Sequence, residues 1–257
     1  MTGRVLVIAG SDSGGGAGVQ ADIKTINALG VYAASAITAI TAQNTLGVQA
    51  VHAVPASVVK AQILSVLSDI GADVIKIGML ANAEIIKAVI EALNESDFDG
   101  PVVLDPVMIA TSGDSLLDED AVDMMVTLLV HATVITPNIP EAEALTGCSD
   151  HADIIEDLQG FCDAVFLKGG HGEGETLTDT LYVGDAHYAY SSSRIDTKNT
   201  HGTGCTIASA IAAYLARGET LPKACEKAHE LVHQAILDAP NLGVGHGPIG
   251  HHKIKAP

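Results

Sequence analysis

Arg4-Val5-Leu6-Val7-Ile8-Ala9, running directly into Gly10-Ser11-Asp12-Ser13-Gly14-Gly15-Gly16, is the stretch that decides the fold. Six residues dominated by branched aliphatics read as a buried strand. The glycine-rich segment that follows is a loop of turn formers, and a helix is expected from about Ala17 to Leu29, stopped by Gly30. A buried strand feeding a helix through a glycine loop is the opening unit of an α/β sheet. The loop lacks the Lys-Ser/Thr of a Walker motif and does not fit the dinucleotide fingerprint. Its three successive glycines point to close approach of a ligand to the backbone, the alternative being an ordinary flexible turn.

The same alternation continues. Strands are expected at Val31 to Thr41, Val48 to Val54, Asp73 to Gly78, Pro101 to Asp105, Ala132 to Thr136 and Ala164 to Leu167. Helices are expected from Pro55 to about Ile70, Ala83 to Leu93 and Asp118 to Leu129, with short helical segments up to Gly160. Thr180 to Ser191 reads as a hairpin turning at Gly184-Asp185. Two helices, Thr203 to Arg217 and Leu221 to Leu237, close the chain. The expectation is one domain over residues 1–257, a three-layer α/β/α sandwich with a mostly parallel central sheet. Ligands of such sheets bind beyond the carboxyl ends of the strands, here the loops after Ala9, Thr41, Gly78, Asp105, Thr136 and Leu167.

Composition narrows the function classes. Among 257 residues, 31 acidic side chains stand against 13 basic ones, a net charge of −18. Such a surface repels nucleic acid and anionic membranes, so neither is expected as a partner. The four cysteines have no zinc-type spacing, and no signal-peptide or membrane-spanning run is found. A reduced cytoplasmic protein is expected.

Several strand-end segments carry candidate chemistry. Thr200-His201-Gly202-Thr203-Gly204-Cys205-Thr206 opens a long apolar helix, whose free amides form an anion site and whose dipole favours a thiolate at Cys205. On local pattern this reading stands level with a glycine cap over an inert cysteine. Pro137-Asn138-Ile139-Pro140-Glu141 puts a carboxylate where Mg²⁺ could be held, or simply caps a helix. Asp105 ends one strand and Lys168-Gly169-Gly170-His171 another, the lysine standing either as a phosphate-binding cation or as a solvated side chain. Asp22 and Gln43 are polar residues near the first two strand ends. His251 and His252 read as a solvated terminal pair. Gly245 to Gly250 spells G-x-G-x-x-G without a following helix and reads as chance.

Taken in order, these segments resemble the ribokinase superfamily and, within it, the hydroxymethylpyrimidine kinase family. The resemblance runs from Ala9–Asp22 through Thr41–Thr45, Lys76–Leu80, Asp105–Met108, Thr136–Asn138 with Glu141, and Leu167–His171 to Asn199–Thr206. It implies ATP-dependent phosphorylation of 4-amino-5-hydroxymethyl-2-methylpyrimidine and then of its monophosphate, in thiamine biosynthesis, by a homodimer that uses ATP and Mg²⁺. It places the pyrimidine against Gly10, Asp22, Gln43, Met79 and Val107, the metal on Asp105 and Glu141, and the nucleotide phosphates on Lys168 and Gly170. Gly202, Thr203, Gly204 and Cys205 become the catalytic loop, with Cys205 as base. Sugar kinases of the superfamily carry aspartate at that position, so Cys205 sets this chain apart from them. Gly250 departs from the asparagine usual in the family's closing segment. Two other readings are a pyridoxal kinase of the same fold and a non-catalytic pyrimidine sensor; ADP release on adding pyrimidine and Mg-ATP separates the sensor from either kinase.

Overall fold

The apolar run at the amino terminus forms strand β1, Arg4–Asp12, longer than expected because the chain stays extended through Gly10 and Ser11. The computed structural model describes residues 3–110, 113–114, 116–118, 121–169 and 174–255. β1 pairs in parallel with β2 (Tyr32–Asn44) and with β4 (Val74–Ile77). β5 (Val102–Leu104), β6 (Val134–Ile135) and β7 (Ala164–Leu167) extend the parallel set. Antiparallel strands close both edges: β3 (Gly47–Ala53) beside β2, and the hairpin of β8 (Thr176–Val183) and β9 (Ala186–Ser193) beside β7. The resulting nine-stranded sheet runs in the order β3-β2-β1-β4-β5-β6-β7-β8-β9. The hairpin turns at Gly184-Asp185, as the sequence implies, with longer arms.

The two-residue period of a strand sorts side chains between two helical layers. Leu6, Ile8, Ile75, Ile77, Leu104 and Ile135 face one layer. It contains α2 (Ala56–Asp69), α3 (Ala83–Glu95), α4 (Val122–Leu129), α5 (Ile139–Thr146) and α6 (His151–Gln159). Val5, Val7, Val74, Val103, Val134 and Phe166 face the other, which holds α1 (Gly18–Ala28), α7 (Thr203–Ala216) and α8 (Leu221–Leu237). No helix among the described residues is long and apolar enough to cross a membrane. α4 starts at Val122 rather than near Asp118, whose amide instead bonds the Ala81 carbonyl.

One charged side chain breaks the apolar pattern of the second face. Lys76, in the middle of β4, is fully buried, with its ammonium 3.0 Å from each carboxylate oxygen of Asp22 in α1. Ser209 of α7 donates to Asp22 Oδ1 at 2.6 Å. Burial pushes the Asp22 carboxyl up, while burial alone would lower Lys76; Asp22, Cys205 and Asp105 outweigh that and keep Lys76 above its ordinary value. The symmetric contact is that of an ammonium on a carboxylate. Three elements, β4, α1 and α7, are thereby fixed to one another beneath the strand ends.

A buried pair is costly to break from one side, because the remaining charge has no solvent. Asp22→Ala is therefore expected to lose roughly 3–5 kcal/mol of stability in urea unfolding, and Asp22→Ala combined with Lys76→Met to recover most of it. A loss below about 1 kcal/mol in the single variant would rule out this role for the pair.

Candidate active site

The carboxyl ends of the strands open into a cavity of about 600 Å³. Of the sequence-derived candidates, Gly10, Gln43, Met79, Val107, Asp105, Glu141, Lys168, Gly202, Thr203, Gly204 and Cys205 all line it. Gly170 lies outside the described residues, as does His171. Asp22 is corrected: it is fully buried, does not line the cavity, and reaches it only through Lys76, which does.

Two glycine loops meet at the centre. The β1–α1 loop is organised by Asp12, whose carboxylate accepts the amides of Gly14 at 2.7 Å, Gly16 at 2.9 Å and Ala17 at 2.8 Å. His201 Nε2 donates to the same carboxylate at 2.9 Å. Burial alone would raise Asp12, but the His201 bond and the amides outweigh it and hold the carboxyl below its usual range. This bond ties the first loop to the second, at the start of α7. There Gly202 has φ 87°, and a Cβ at that position would run into the Gly16 carbonyl. Only glycine satisfies both demands. The amides of Thr203, Gly204 and Cys205 occupy the first turn of α7, the positive end of a fourteen-residue helix.

Opposite that helix end stand three charged groups. Lys168 follows β7, its amide bonded to the Pro137 carbonyl at 2.9 Å, so the ends of β6 and β7 stay together. Its ammonium is 2.8 Å from Asp105 Oδ1 and 3.7 Å from Glu141 Oε2. Thr136 donates to Asp105 Oδ1 at 3.1 Å. Burial alone would lower Lys168, but Asp105 and Glu141 raise it above the ordinary lysine value. Held between two carboxylates, it is not the solvated side chain that the sequence also allowed. A Cβ on Gly204 would lie 3.3 Å from Lys168 Nζ and 3.5 Å from Asp105 Oδ2, so the glycine keeps the space between helix end and cation open.

Glu141 serves two ends. With Asn138 it forms a reciprocal cap on α5: the Asn138 amide donates to Glu141 Oε2 at 2.8 Å, and the Glu141 amide to Asn138 Oδ1 at 2.8 Å. The helix-cap reading is therefore correct, and the same carboxylate also faces Lys168. Burial raises Glu141 against the pull of Lys168. No group of three or more acidic, histidine or cysteine side chains among the described residues forms a metal cluster. Two carboxylates beside a lysine still suit Mg²⁺, which takes few protein ligands and completes its shell with phosphate oxygens and water.

Cys205 differs from the local expectation. It is partly exposed to the cavity, yet burial pushes its thiol up to about 12, with Asp22 and Asp105 adding to the rise and Lys76 opposing it. The helix end does not generate a resting thiolate. His251 is a second correction: it is buried, with Nε2 2.8 Å from Thr206 Oγ1, and burial pushes it down to about 4.

Gln43, Met79 and Val107 line the same cavity, Gln43 from β2 near one edge of the sheet. The Thr41 hydroxyl sits between the Ser11 carbonyl, 2.9 Å away, and Gln43 Oε1, 3.1 Å away. Gly10 faces Met79, whose sulfur would be 2.8 Å from an added Cβ. The other end, absent from the sequence reading, is lined by Leu177, Ile195, Val232 and Ile236 with His229 and His233. Asp12 could have been found from its position two residues before a glycine, an Asx-turn signature. Lys76 could have been found as a charge inside an otherwise apolar strand.

Comparison with known proteins gives this geometry a lineage. The family model described as "Phosphomethylpyrimidine kinase" matches residues 12–250. A hydroxymethylpyrimidine/phosphomethylpyrimidine kinase of Rhizobium meliloti (strain 1021) is 48% identical, covering 98% of this chain and 97% of the relative. The structure of phosphomethylpyrimidine kinase from Clostridium difficile 630 superposes with a TM-score of 0.80 at 41% identity, over 91% of this chain and 99% of that one. The structure of pyridoxal kinase from Staphylococcus aureus in complex with ADP gives 0.88 at 34% identity, over 98% and 95%. A cavity built between a helix amino terminus, a fixed lysine and an amide-bearing pocket thus stands in a chain that belongs to the phosphomethylpyrimidine kinase family.

Proposed function

We propose that the chain transfers the γ-phosphoryl group of ATP to the hydroxymethyl group of 4-amino-5-hydroxymethyl-2-methylpyrimidine, and then to the monophosphate so formed, within thiamine biosynthesis. The observation that carries this reading is one continuous cavity holding, in order, an amide-bearing pocket, an anion site and an apolar slot. Gln43 offers both a donor and an acceptor, which suits an aminopyrimidine edge, and Met79 and Val107 suit its ring faces. Lys168 and the first-turn amides of α7 converge on the space where charge gathers during phosphoryl transfer. Asp105 and Glu141 would hold Mg²⁺, which when bound neutralises charge on the phosphate oxygens. The lysine and the two carboxylates sum to −1, so admission of polyphosphate rests on the divalent ion they would hold and on the first-turn amides of α7, against the protein's net charge of −18.

Cys205 is assigned to the acceptor's proton. With the thiol pushed up to about 12, the thiolate is scarce at neutral pH and grows about tenfold per pH unit, while remaining a strong base. The second acceptor, a phosphomonoester, is already mostly ionised and needs no base. The likeness to pyridoxal kinase favours a second acceptor class at the same pocket. Purified protein supplied with Mg-ATP and either the hydroxymethylpyrimidine or pyridoxal is expected to prefer the pyrimidine and to yield mono- and then diphosphate. A preference for pyridoxal would overturn the reading.

Two variants test the assignments. Cys205→Ala should lower kcat/KM for the hydroxymethylpyrimidine by about 10²–10⁴-fold and spare the monophosphate. In the parent, the first step should accelerate as pH rises from the neutral range, since the active form is the deprotonated one; the variant should lose that slope. Equal losses for both acceptors would reject Cys205 as base. Glu141→Gln keeps the α5 cap, because glutamine also caps at this position, but removes the charge. Its thermal midpoint should stay near the parent's while the Mg²⁺ concentration for half-maximal activity rises by up to roughly tenfold. Identical magnesium titrations would remove Glu141 from the metal site.

A further inference from the structure

His229 stands in the wall of the cavity's apolar end, beside Val232 and Ile236 of α8, and is only 6% exposed. Its Nδ1 is 2.8 Å from Asp179 Oδ2. The other oxygen, Asp179 Oδ1, accepts the Gly169 amide at 2.8 Å. A carboxylate engaged in this way has no proton to give, so Nδ1 carries the hydrogen. In the neutral imidazole, Nε2 is then an acceptor. Nε2 is buried and has no hydrogen-bond partner among the described residues. Buried polar atoms are nearly always paired, and His229 is one of the side chains that line the cavity.

The chemistry of the missing partner is restricted. Toward the neutral ring it must donate a hydrogen bond. Phosphate oxygens of a nucleotide are acceptors, and the aminopyrimidine pocket lies at the opposite end with Gln43. A nucleoside supplies what is needed in two places, its sugar hydroxyls and its base amine. The surrounding Leu177, Ile195, Val232 and Ile236 suit a planar base.

We propose that His229 Nε2 accepts a hydrogen bond from the nucleoside half of the phosphoryl donor, and that Asp179 fixes the ring for this purpose. The inference rests on the reading of this cavity as a nucleotide site. Because Asp179 also holds the Gly169 amide, the nucleoside contact and the Lys168 segment share one anchor.

Calorimetric binding of ADP, 2′-deoxy-ADP, 3′-deoxy-ADP and the 6-deamino analogue, purine riboside diphosphate, tests this without any acceptor. The parent should bind one of the three analogues about threefold to tenfold more weakly than ADP, which identifies the donor group. His229→Asn retains a donor toward Asp179 at the Nδ1 position and deletes Nε2. It should bind all four alike, at the level of the parent's weakened analogue. Asp179→Asn can still accept from Gly169, but its amide N–H would face Nδ1 and turn Nε2 into a donor. The same loss of preference is expected there, with folding of both variants checked by thermal melting. A parent that binds all four alike, or a His229→Asn variant that keeps the parent's preference, overturns the proposal. Absence of ADP binding overturns it together with the nucleotide reading. ADP binding with the expected preference, but no transfer to the pyrimidine, overturns only the proposed acceptor.

Discussion

Beneath the site, an ammonium with no access to water determines where the surrounding elements sit. Lys76 can stay charged inside the protein only if Asp22 and Ser209 are brought to it, and they arrive on α1 and α7. Those two helices carry the two glycine loops at their amino ends. The position of the loops relative to β4 therefore follows from the geometry of one ion pair. Above it, the Asp12–His201 bond joins the loops directly, and Gly202 allows the Gly16 carbonyl to pass. The cluster of amides at the start of α7 is placed by satisfying a buried charge below and a buried carboxylate above.

Electrostatics in the cavity works by local compensation. Each buried cation has a carboxylate: Lys76 has Asp22, and Lys168 has Asp105 with Glu141. Neither lysine is a surplus positive charge. The uncompensated positive potential comes from backbone amides at the start of α7, which carry no counter-ion and need no desolvation of a full charge. This suits a chain whose overall field opposes anions, since amides act at short range and do not depend on the net charge.

Much of the fold was legible because strand and helix periods are local properties. β7 and α8 fall where the apolar pattern puts them, and the turn of the β8–β9 hairpin lies at Gly184-Asp185. Site glycines were legible for the same reason, since three in a row or a pair at a helix start has few other uses. What escaped was pairing across the chain. The resemblance placed Asp22 in the pocket, and its actual partner, Lys76, lies 54 positions away, which no local pattern announces. His201 and Asp12 are 189 positions apart, and His229 and Asp179 are 50. His251, read as part of a solvated tail, is buried because the short 3-10 turn at His251–Lys253 places it against Thr206 of α7. Local pattern left a thiolate and an inert thiol level at Cys205, and the balance turned on burial, which outweighs the pull of Lys76.

The sheet's two antiparallel margins lie at opposite ends of one continuous cavity. The β2–β3 hairpin brings Gln43 to one end, while the β8–β9 hairpin and the segment after it bring Leu177 and Ile195 to the other. The parallel strands between them carry Lys76, Asp105 and Lys168. Each margin is nevertheless tied to that centre: Asp179 of β8 accepts the Gly169 amide beside Lys168, and the Gln43 backbone of β2 exchanges hydrogen bonds with Ser13 of the first glycine loop. A hairpin exchanged between relatives would therefore carry its preference across intact only if the residue that anchors it to the centre came with it.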